Sequence, residues 1–291
     1  MKKFKSYFGY IFLTITVVLF AYYVVKHPQI WHEINNLNFF IVLILLLIYL
    51  IFLGSLVLIF KYTVEYCGKA INIKNNIQLT SYSAIINFFG PAQSGPGVRA
   101  IYLKNNLHIS FRKFLQGSII YYLAFASVSF ICIVVGTNFW KWLIILVPIM
   151  IVGSYFIYKW ELKRNNDSLE VNKKTIQIIY KLILVTLFQI LLITLIYYIE
   201  LKTVNNTVNF RQAVAYTGIA NFALFVSITP GAIGIREAFL LFSQRLLHMP
   251  SKTIVAASVI DRTIYIIFLG IIFIFVSGLH INDKIKQTNI K

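Results

Sequence analysis

The sequence predicts an all-α integral membrane protein with about six transmembrane helices and two re-entrant hairpins of broken helix, arranged as inverted pseudo-repeats. Composition predicts the membrane, because 59% of the 291 residues are hydrophobic, 12% are charged and the mean hydropathy is +0.77. Apolar runs of about 20 residues, long enough to cross roughly 30 Å of hydrocarbon, predict the helices. Glycines and prolines that interrupt two other apolar segments predict the hairpins.

Six apolar segments have the length of a membrane crossing. In chain order they are 7–25, 39–60, 115–135, 139–158, 178–199 and 253–278. Two of these segments are less regular than the others. The segment 139–158 carries Lys141 near one end, where a lysine can reach the headgroups, and the segment 253–278 contains Asp261 and Arg262. We interpret the other four as uninterrupted spans. The first segment follows a basic N-terminus, as a signal peptide would, but no small-residue cleavage site follows it. We therefore expect it to be retained as a helix.

The net charge of +18 lies mainly between the spans. Basic residues cluster at the N-terminus, at 61–113 and at 159–174, whereas the connections 27–38, 136–138 and 200–210 carry few. By the positive-inside rule, both termini are cytoplasmic and the chain is a multi-pass protein of the cell membrane. Since the basic residues separate apolar spans and do not interleave with aromatic residues on a polar face, no nucleic-acid partner is expected.

Cysteines and histidines predict no further chemistry. Cys67 falls in an expected cytoplasmic loop and Cys132 inside a span, so no disulfide is expected. The five histidines are scattered without the spacing of metal ligands. No nucleophile motif or nucleotide-binding loop is present, so neither a metal nor a cofactor is expected.

Two apolar segments end in helix breaks. The segment 79–90 is followed by Pro91, Gly95, Pro96 and Gly97. The segment 213–229 is followed by Pro230, Gly231 and Gly234, after which 235–247 restarts as a short helix. Irregular backbone at membrane depth is tolerated only where protein buries it or where it lines a polar cavity. The two breaks therefore predict a functional site.

The two broken segments also align with each other. Ile85-Ile86-Asn87-Phe88 resembles Ile219-Ala220-Asn221-Phe222, and Gly97-Val98-Arg99 resembles Gly234-Ile235-Arg236. Three spans separate the hairpins, so the second copy enters from the opposite side of the membrane. We expect inverted pseudo-repeats over 79–135 and 211–278, then a short basic cytoplasmic tail at 279–291. This arrangement is a common plan of transporters.

An anion is the ligand that the breaks favour. Helices that restart after Gly97 and Gly234 would present backbone N–H groups and a positive dipole end to a phosphate. Arg99 and Arg236 would add charge-assisted hydrogen bonds.

The Asp261-Arg262 pair lies inside the last span, where ionisable residues usually face a partner or a cavity. Adjacent residues of a helix do not face each other. The expected pairs are therefore Asp261 with Arg236 and Arg262 with Glu237. The alternative role of Asp261 is that of a proton-coupling carboxylate.

The run Pro230-Gly231-Ala232-Ile233-Gly234-Ile235-Arg236-Glu237, with the later Asp261-Arg262 pair, resembles the membrane domain of lysylphosphatidylglycerol synthases and related free-standing flippase-like proteins. The resemblance covers roughly 7–278. The family's motif usually reads Pro-Gly-Gly, apolar, Gly, apolar, Arg-Glu, so Ala232 departs from it. In the first break Pro91, Gly95 and Arg99 fit the usual spacing, but many relatives have an acidic residue where this chain has Pro96.

The resemblance implies lipid translocation. In full-length synthases the membrane domain is implicated in moving aminoacylated phosphatidylglycerol between leaflets, while a separate cytoplasmic domain makes the lipid from aminoacyl-tRNA. The 291 residues leave no room for that domain. We therefore expect translocation without synthesis.

Our hypothesis is a translocase for an anionic or aminoacylated phospholipid or a polyprenyl-phosphate-linked lipid. The expected substrate-binding residues are Arg99, Arg236, Glu237, Asp261, Arg262, Gly97, Gly231 and Gly234. Arg99 and Arg236 would hold the headgroup phosphate between the hairpins, while Glu237 and Asp261 bind a cationic headgroup or carry a proton. Tyr121 and Tyr122, at the repeat positions of Asp261 and Arg262, are expected to be lipid-facing or interfacial, and no role is assigned to them.

Three alternatives stay open. The first is a role in lysylphosphatidylglycerol formation. The second is a non-transporting scaffold, whose partner would be a lipid-modifying or glycosyl-transferring enzyme. The third is a transporter of small soluble ions. The sequence does not determine the oligomeric state.

Overall fold

The computed structural model of the chain describes residues 38–90, 94–137, 169–227, 230–232 and 234–288. These residues form helices and no strand, as predicted. Two expected spans, 7–25 and 139–158, lie outside the described residues. Four helices within the described part are long and apolar enough to cross a membrane: Phe39–Tyr66, Phe111–Gly136, Thr175–Val204 and Ser251–Gly278. The count of six crossings stays a prediction.

The described helices run in the following order. They are α1 Phe39–Tyr66, α2 Ile73–Phe89, α3 Gly95–Leu107, α4 Phe111–Gly136, α5 Leu169–Val204, α6 Phe210–Val226, α7 Ile235–Phe242, α8 Gln244–Leu247 and α9 Ser251–Thr288. A short 3-10 turn, Pro230–Ala232, joins α6 to α7.

Four of the described helices begin at polar side chains that cap them. Asn38 and Asn72 accept hydrogen bonds from backbone N–H groups in the first turns of α1 and α2, and Ser110 does the same for α4. At α6, Asn209 and Gln212 form a reciprocal capping box. Such caps favour helix formation beyond the purely apolar run, and each of the four spans that the structure describes is longer than its apolar run.

The end of α5 lies further along the chain than the sequence predicts. The connection expected at 200–210 is shorter than predicted, because α5 continues to Val204. Glu200 was assigned to this loop, and that assignment was wrong, because the residue lies inside α5 and is buried. The last helix also continues to Thr288, so most of the expected basic tail is helical.

The core lies between α1, α5, α6 and α9. Tyr49 of α1, Ile196 of α5, Tyr216 of α6 and Ile260 of α9 belong to one buried apolar cluster. The outward faces of the long helices expose large apolar side chains, such as Phe40. Because these faces belong to helices long enough to span a membrane, they are suited to contact with lipid chains.

Close packing holds α6 against α4. A Cβ at Gly218 would lie only 2.5 Å from the carbonyl oxygen of Ser129, so the two backbones approach as glycine allows. Asn221 Nδ2 also donates to Ser129 Oγ over 3.2 Å. These contacts fix the helix that precedes the second break.

The two broken segments share a plan. Each has a 17-residue helix before the break, α2 or α6, and a further helix after it, α3 or α7. The segment expected to restart at 235–247 consists of two helices, α7 and α8. The inverted repeat itself stays a prediction.

Candidate functional site

A cavity of about 260 Å³ lies between the two breaks. Side chains of α1, α4, α5 and α9 complete its walls. The broken segments contribute Ser83, Asn87, Gly95, Pro96 and Arg99 from the first and Asn221, Gly231, Ala232 and Arg236 from the second. The two hairpins therefore meet at one cavity.

Direct contact joins the tips of the hairpins. Gly231 has a φ of +57°, and a Cβ at this position would lie 3.1 Å from the Phe88 ring and 3.2 Å from the Phe88 carbonyl oxygen. Glycine meets both requirements, the left-handed backbone and the close approach.

Arg236 and Asp261 form an ion pair at the cavity. Arg236 Nη2 lies 2.5 Å from Asp261 Oδ2, and the two residues are only 8% and 6% exposed. The guanidinium also donates to the Tyr197 hydroxyl and to Ser258 Oγ, each over 3.2 Å. The Tyr49 hydroxyl donates to Asp261 Oδ1 over 2.6 Å. The predicted pairing of Arg236 with Asp261 is confirmed.

Arg262 and Glu237 form the second predicted pair. Arg262 Nη2 and Nε lie 2.5 Å and 2.9 Å from Glu237 Oε1. Ser258 Oγ donates to the same oxygen over 2.7 Å. This pairing is confirmed as well, so α9 holds α7 through two neighbouring ion pairs.

The Glu237–Arg262 pair also stabilises the backbone of the second break. Glu237 Oε2 accepts the Gly234 N–H over 2.8 Å, which caps α7. Arg262 donates to the carbonyl oxygens of Gly231 and Ala232 over 3.3 Å and 3.4 Å. Backbone groups that a regular helix would satisfy internally are thus satisfied by side chains.

The sequence predicted that the first backbone N–H groups of α3 and α7 would be available to bind a phosphate, but in both helices some of these groups are already hydrogen-bonded. Helix α3 begins at Gly95, so Gly97 lies inside its first turn and not before it. Pro96 has no N–H, and the N–H groups of Gly97 and Val98 donate to the Ser94 carbonyl over 3.1 Å and 3.3 Å. At α7, the Glu237 carboxylate occupies the helix N-terminus. An anion in the cavity would therefore depend on side chains.

Arg99 is the arginine of the cavity with no acidic partner among the described residues. No described carboxylate forms an ion pair with it, and its buried Nε has no hydrogen-bond partner. Its guanidinium carbon lies 5.0 Å from the centre of the Phe60 ring. Tyr121 and Tyr122 also line the cavity. Among the described residues, Arg99 is therefore the cavity cation available to an anionic ligand.

The predicted site residues divide into two groups. Five of them line the cavity: Arg99, Gly231, Arg236, Asp261 and Arg262. Glu237, Gly234 and Gly97 do not. Glu237 and Gly234 are connected to the lining through Arg262 and the cap of α7. Within the described residues, no cluster of three or more His, Cys, Asp or Glu is placed to hold a metal ion.

Several tyrosines at the cavity are not among the site residues that the sequence predicted. Tyr121 and Tyr122 are expected from the sequence to be lipid-facing or interfacial, but they line the cavity. Their alignment with Asp261 and Arg262 was the available signal. Tyr49 and Tyr197 sit in apolar runs without any such signal, since only their position against the ion pair distinguishes them from other aromatic residues.

Fold and site together define a polytopic membrane protein with a charged cavity between two broken-helix hairpins. The chain matches a family model described as the lysylphosphatidylglycerol synthase TM region over residues 8–272, and it belongs to that family. The resemblance found in the sequence is therefore confirmed. A comparison with curated proteins gives no match. Membership of the family indicates a membrane protein with a lipid-related function.

Proposed function

We propose that the protein is a flippase-like translocase that moves a lipid with an anionic headgroup between the membrane leaflets. The observation that carries this proposal is the cavity between the hairpins, in which Arg99 has no acidic partner among the described residues, while Arg236 pairs with Asp261 and Glu237 and Arg262 pairs with Glu237. An arginine in a partly dehydrated cavity is well suited to bind a phosphate by charge-assisted hydrogen bonds.

The dimensions of the cavity support a headgroup as the ligand. A volume of about 260 Å³ is below the range of about 300–1,000 Å³ typical of pockets for drug-sized ligands, and two acyl chains would not fit. The chains would stay in the bilayer, against the exposed apolar faces of the long helices. The protein would then shield only the polar part of the lipid during its passage.

The two helix breaks would be the hinge points at which one pseudo-repeat moves relative to the other. Each hairpin is interrupted at the cavity, and the tips meet at Gly231 and Phe88. Rocking of one half against the other would open the Arg99 side of the cavity to one leaflet and then to the other. The basic loops support a location in the cytoplasmic membrane with both termini inside.

The charges favour an anionic lipid over an aminoacylated one. Asp261 and Glu237 are each engaged by an arginine at 2.5 Å, so neither is free to bind an ammonium group. A lysyl headgroup would bring positive charge to Arg99 without a free carboxylate among the described cavity residues. Phosphatidylglycerol or a polyprenyl-phosphate-linked lipid therefore fits better than lysylphosphatidylglycerol.

Leaflet exchange in liposomes tests this function. The purified protein is reconstituted with labelled phosphatidylglycerol, lysylphosphatidylglycerol, a polyprenyl-phosphate lipid or zwitterionic phosphatidylcholine, and the label accessible from outside is followed over time. We expect faster exchange of at least one anionic lipid than of the other two lipids. Exchange of none of the four, relative to protein-free liposomes, would reject a translocase in favour of a scaffold or a small-ion transporter.

A further inference from the structure

Glu200 is a buried carboxyl group without a hydrogen-bond partner. It lies in α5, within a helix long and apolar enough to span the membrane, and it is 1% exposed. Neither Oε1 nor Oε2 receives a hydrogen bond. Asp261 differs, since it is paired with Arg236 and bonded to the Tyr49 hydroxyl. The site described above assigns no role to Glu200.

The surroundings of Glu200 disfavour a negative charge. An ionised carboxylate in a medium of low polarity is very costly unless it is paired and hydrogen-bonded, and it normally takes up a proton instead. The Asp261 carboxylate of α9 acts on Glu200 with the same sign of charge. Arg236 of α7 acts with the opposite sign, but Asp261 already neutralises it at 2.5 Å.

Among the described residues, the other packed helices contribute phenol groups near Glu200. In the described part of the chain, α4 adds no charged group that acts on it. The titratable neighbours from the remaining helices are Tyr49 of α1, Tyr216 of α6 and Tyr197 of α5 itself. Two of these phenols are already engaged, Tyr49 with Asp261 and Tyr197 with Arg236. Glu200 is thus connected electrostatically to the ion pair of the cavity without being part of it.

We propose that Glu200 is a proton-binding site that couples proton movement to the opening of the cavity. In the described conformation it holds the proton. When movement of α7 separates Arg236 from Asp261, the guanidinium keeps the more distant Glu237 of the same helix, 3.7 Å away, and favours an ionised Glu200. The proton then passes to water on the side to which the cavity has opened. The proton site is inferred from the burial of Glu200 and from its missing hydrogen bonds. The coupling to lipid movement rests on the proposed function.

This assignment replaces the proton-coupling role considered for Asp261. Both oxygens of Asp261 are engaged, one by a guanidinium at 2.5 Å and the other by a hydroxyl at 2.6 Å. Glu200 has neither bond. Of these two buried carboxyl groups, Glu200 is the one suited to exchange a proton during the cycle.

Infrared spectroscopy of the reconstituted protein tests the proton site. At neutral pH, Glu200→Gln should remove a C=O stretching band of a protonated carboxylic acid, and in the wild type this band should shift in D₂O. Glu65→Gln is the matched control, because Glu65 lies 3.9 Å from Lys61 with a side chain that is 31% exposed. The control should remove a carboxylate band only. Loss of a carboxylate band alone in Glu200→Gln would overturn the proposal.

The thermal stability of Glu200→Gln is a second test of a neutral Glu200. Glutamine has nearly the shape of a neutral glutamic acid, so Glu200→Gln should keep the thermal stability of the wild type. Glu200→Asp keeps the carboxyl group, and its protonated-acid band should remain. Unfolding of Glu200→Gln while Glu200→Asp stays folded with a carboxylate band would contradict a neutral Glu200.

Lipid exchange across an imposed pH gradient tests the coupling. For one proton per lipid, the steady-state leaflet ratio of phosphatidylglycerol should change about tenfold per pH unit in the wild type. The ratio should not respond in Glu200→Gln and should respond again in Glu200→Asp. Exchange without any response in the wild type would overturn the coupling.

The two proposals can fail separately. If the infrared band is present but the wild type exchanges none of the lipids, the translocase and the coupling both fail, while the proton site stands. If lipids exchange but the band is absent, the translocase stands and Glu200 is not the proton site.

Discussion

Arg236 and Asp261 form a buried ion pair in which Nη2 of the arginine lies 2.5 Å from Oδ2 of the aspartate. The next residue of each helix forms a second pair, Glu237 with Arg262. Two successive residues of α7 are therefore bound to two successive residues of α9. This double connection positions the second break at the cavity.

Asp261→Asn should destabilise the protein. The substitution removes the nearer of the two carboxylates that pair with the buried Arg236 guanidinium and leaves Glu237 at 3.7 Å, and incompletely compensated buried charges are costly. Because polar interactions in membrane bundles average less than in soluble cores, we expect a loss of about 1–3 kcal/mol. Thermal unfolding in detergent measures it. Tyr49→Phe, which removes one hydrogen bond to the same carboxylate, should cost no more than about 1.5 kcal/mol. Equal stability of Asp261→Asn and the wild type would show that the pair contributes nothing.

A double-mutant cycle of Glu237→Gln and Arg262→Gln should reveal coupling. The two side chains share bonds of 2.5 Å and 2.9 Å, so the double variant should lose less stability than the sum of the single variants. We expect a coupling free energy of about 0.6 kcal/mol, the average for polar contacts within a membrane protein, and no more than about 1.7 kcal/mol, the maximum found there. Strict additivity of the single losses in thermal unfolding would argue against an energetic role for this pair.

Gly231→Ala should be harmful, whereas Gly97→Ala should be tolerated. At Gly231 the positive φ costs a residue with a Cβ about 1–2 kcal/mol, and the Cβ would press against Phe88. At Gly97 a Cβ would meet nothing within 4 Å. Thermal unfolding of both variants tests the contact between the hairpins. Indistinguishable unfolding temperatures would contradict the close approach at Gly231.

Arg99→Glu should change the preference among headgroups. The substitution replaces the cation that lacks an acidic partner in the described cavity by an anion, so exchange of phosphatidylglycerol should fall. Exchange of lysylphosphatidylglycerol, whose headgroup carries ammonium groups, should rise relative to it. The ratio of the two initial rates in matched liposomes gives the result. Arg112→Glu serves as control, since Arg112 is exposed at the start of α4 and does not line the cavity. An unchanged ratio in Arg99→Glu would place headgroup selection elsewhere.

The sequence predicted the parts of the site that depend on local chemistry. Prolines and glycines marked both breaks, and the helical spacing of Asp261 and Arg262 led to the correct ion-pair partners. Glu200 was assigned to a loop because an apolar run ending in a carboxylate normally ends a span. Its burial depends on packing against α1, α6 and α9, which no local pattern records. The same holds for Tyr49 and Tyr197, whose hydroxyls are recognisable only beside the ion pair.

The prediction that helix N-termini bind a phosphate depended on where the restarted helices begin, and for α3 the sequence placed this start too far along the chain. Gly97 was expected to precede the first restarted helix, but the chain turns helical at Gly95. Two residues of difference moved the Gly97 N–H from an open end into a bond with Ser94. The side chain of Arg99 thereby becomes the main candidate for binding the phosphate.

The exchange of phosphatidylglycerol by Arg99→Gln, compared with the wild type, tests the central claim most directly. Arg236→Ala would be a weaker test, because it also deprives Asp261 of its partner, whereas Arg99 has no described carboxylate to leave unpaired. Loss of a charge-assisted bond of about 1.5–3 kcal/mol predicts a rate roughly 10- to 100-fold lower in Arg99→Gln, with thermal stability near that of the wild type. Exchange at the wild-type rate in a folded Arg99→Gln protein would contradict the account.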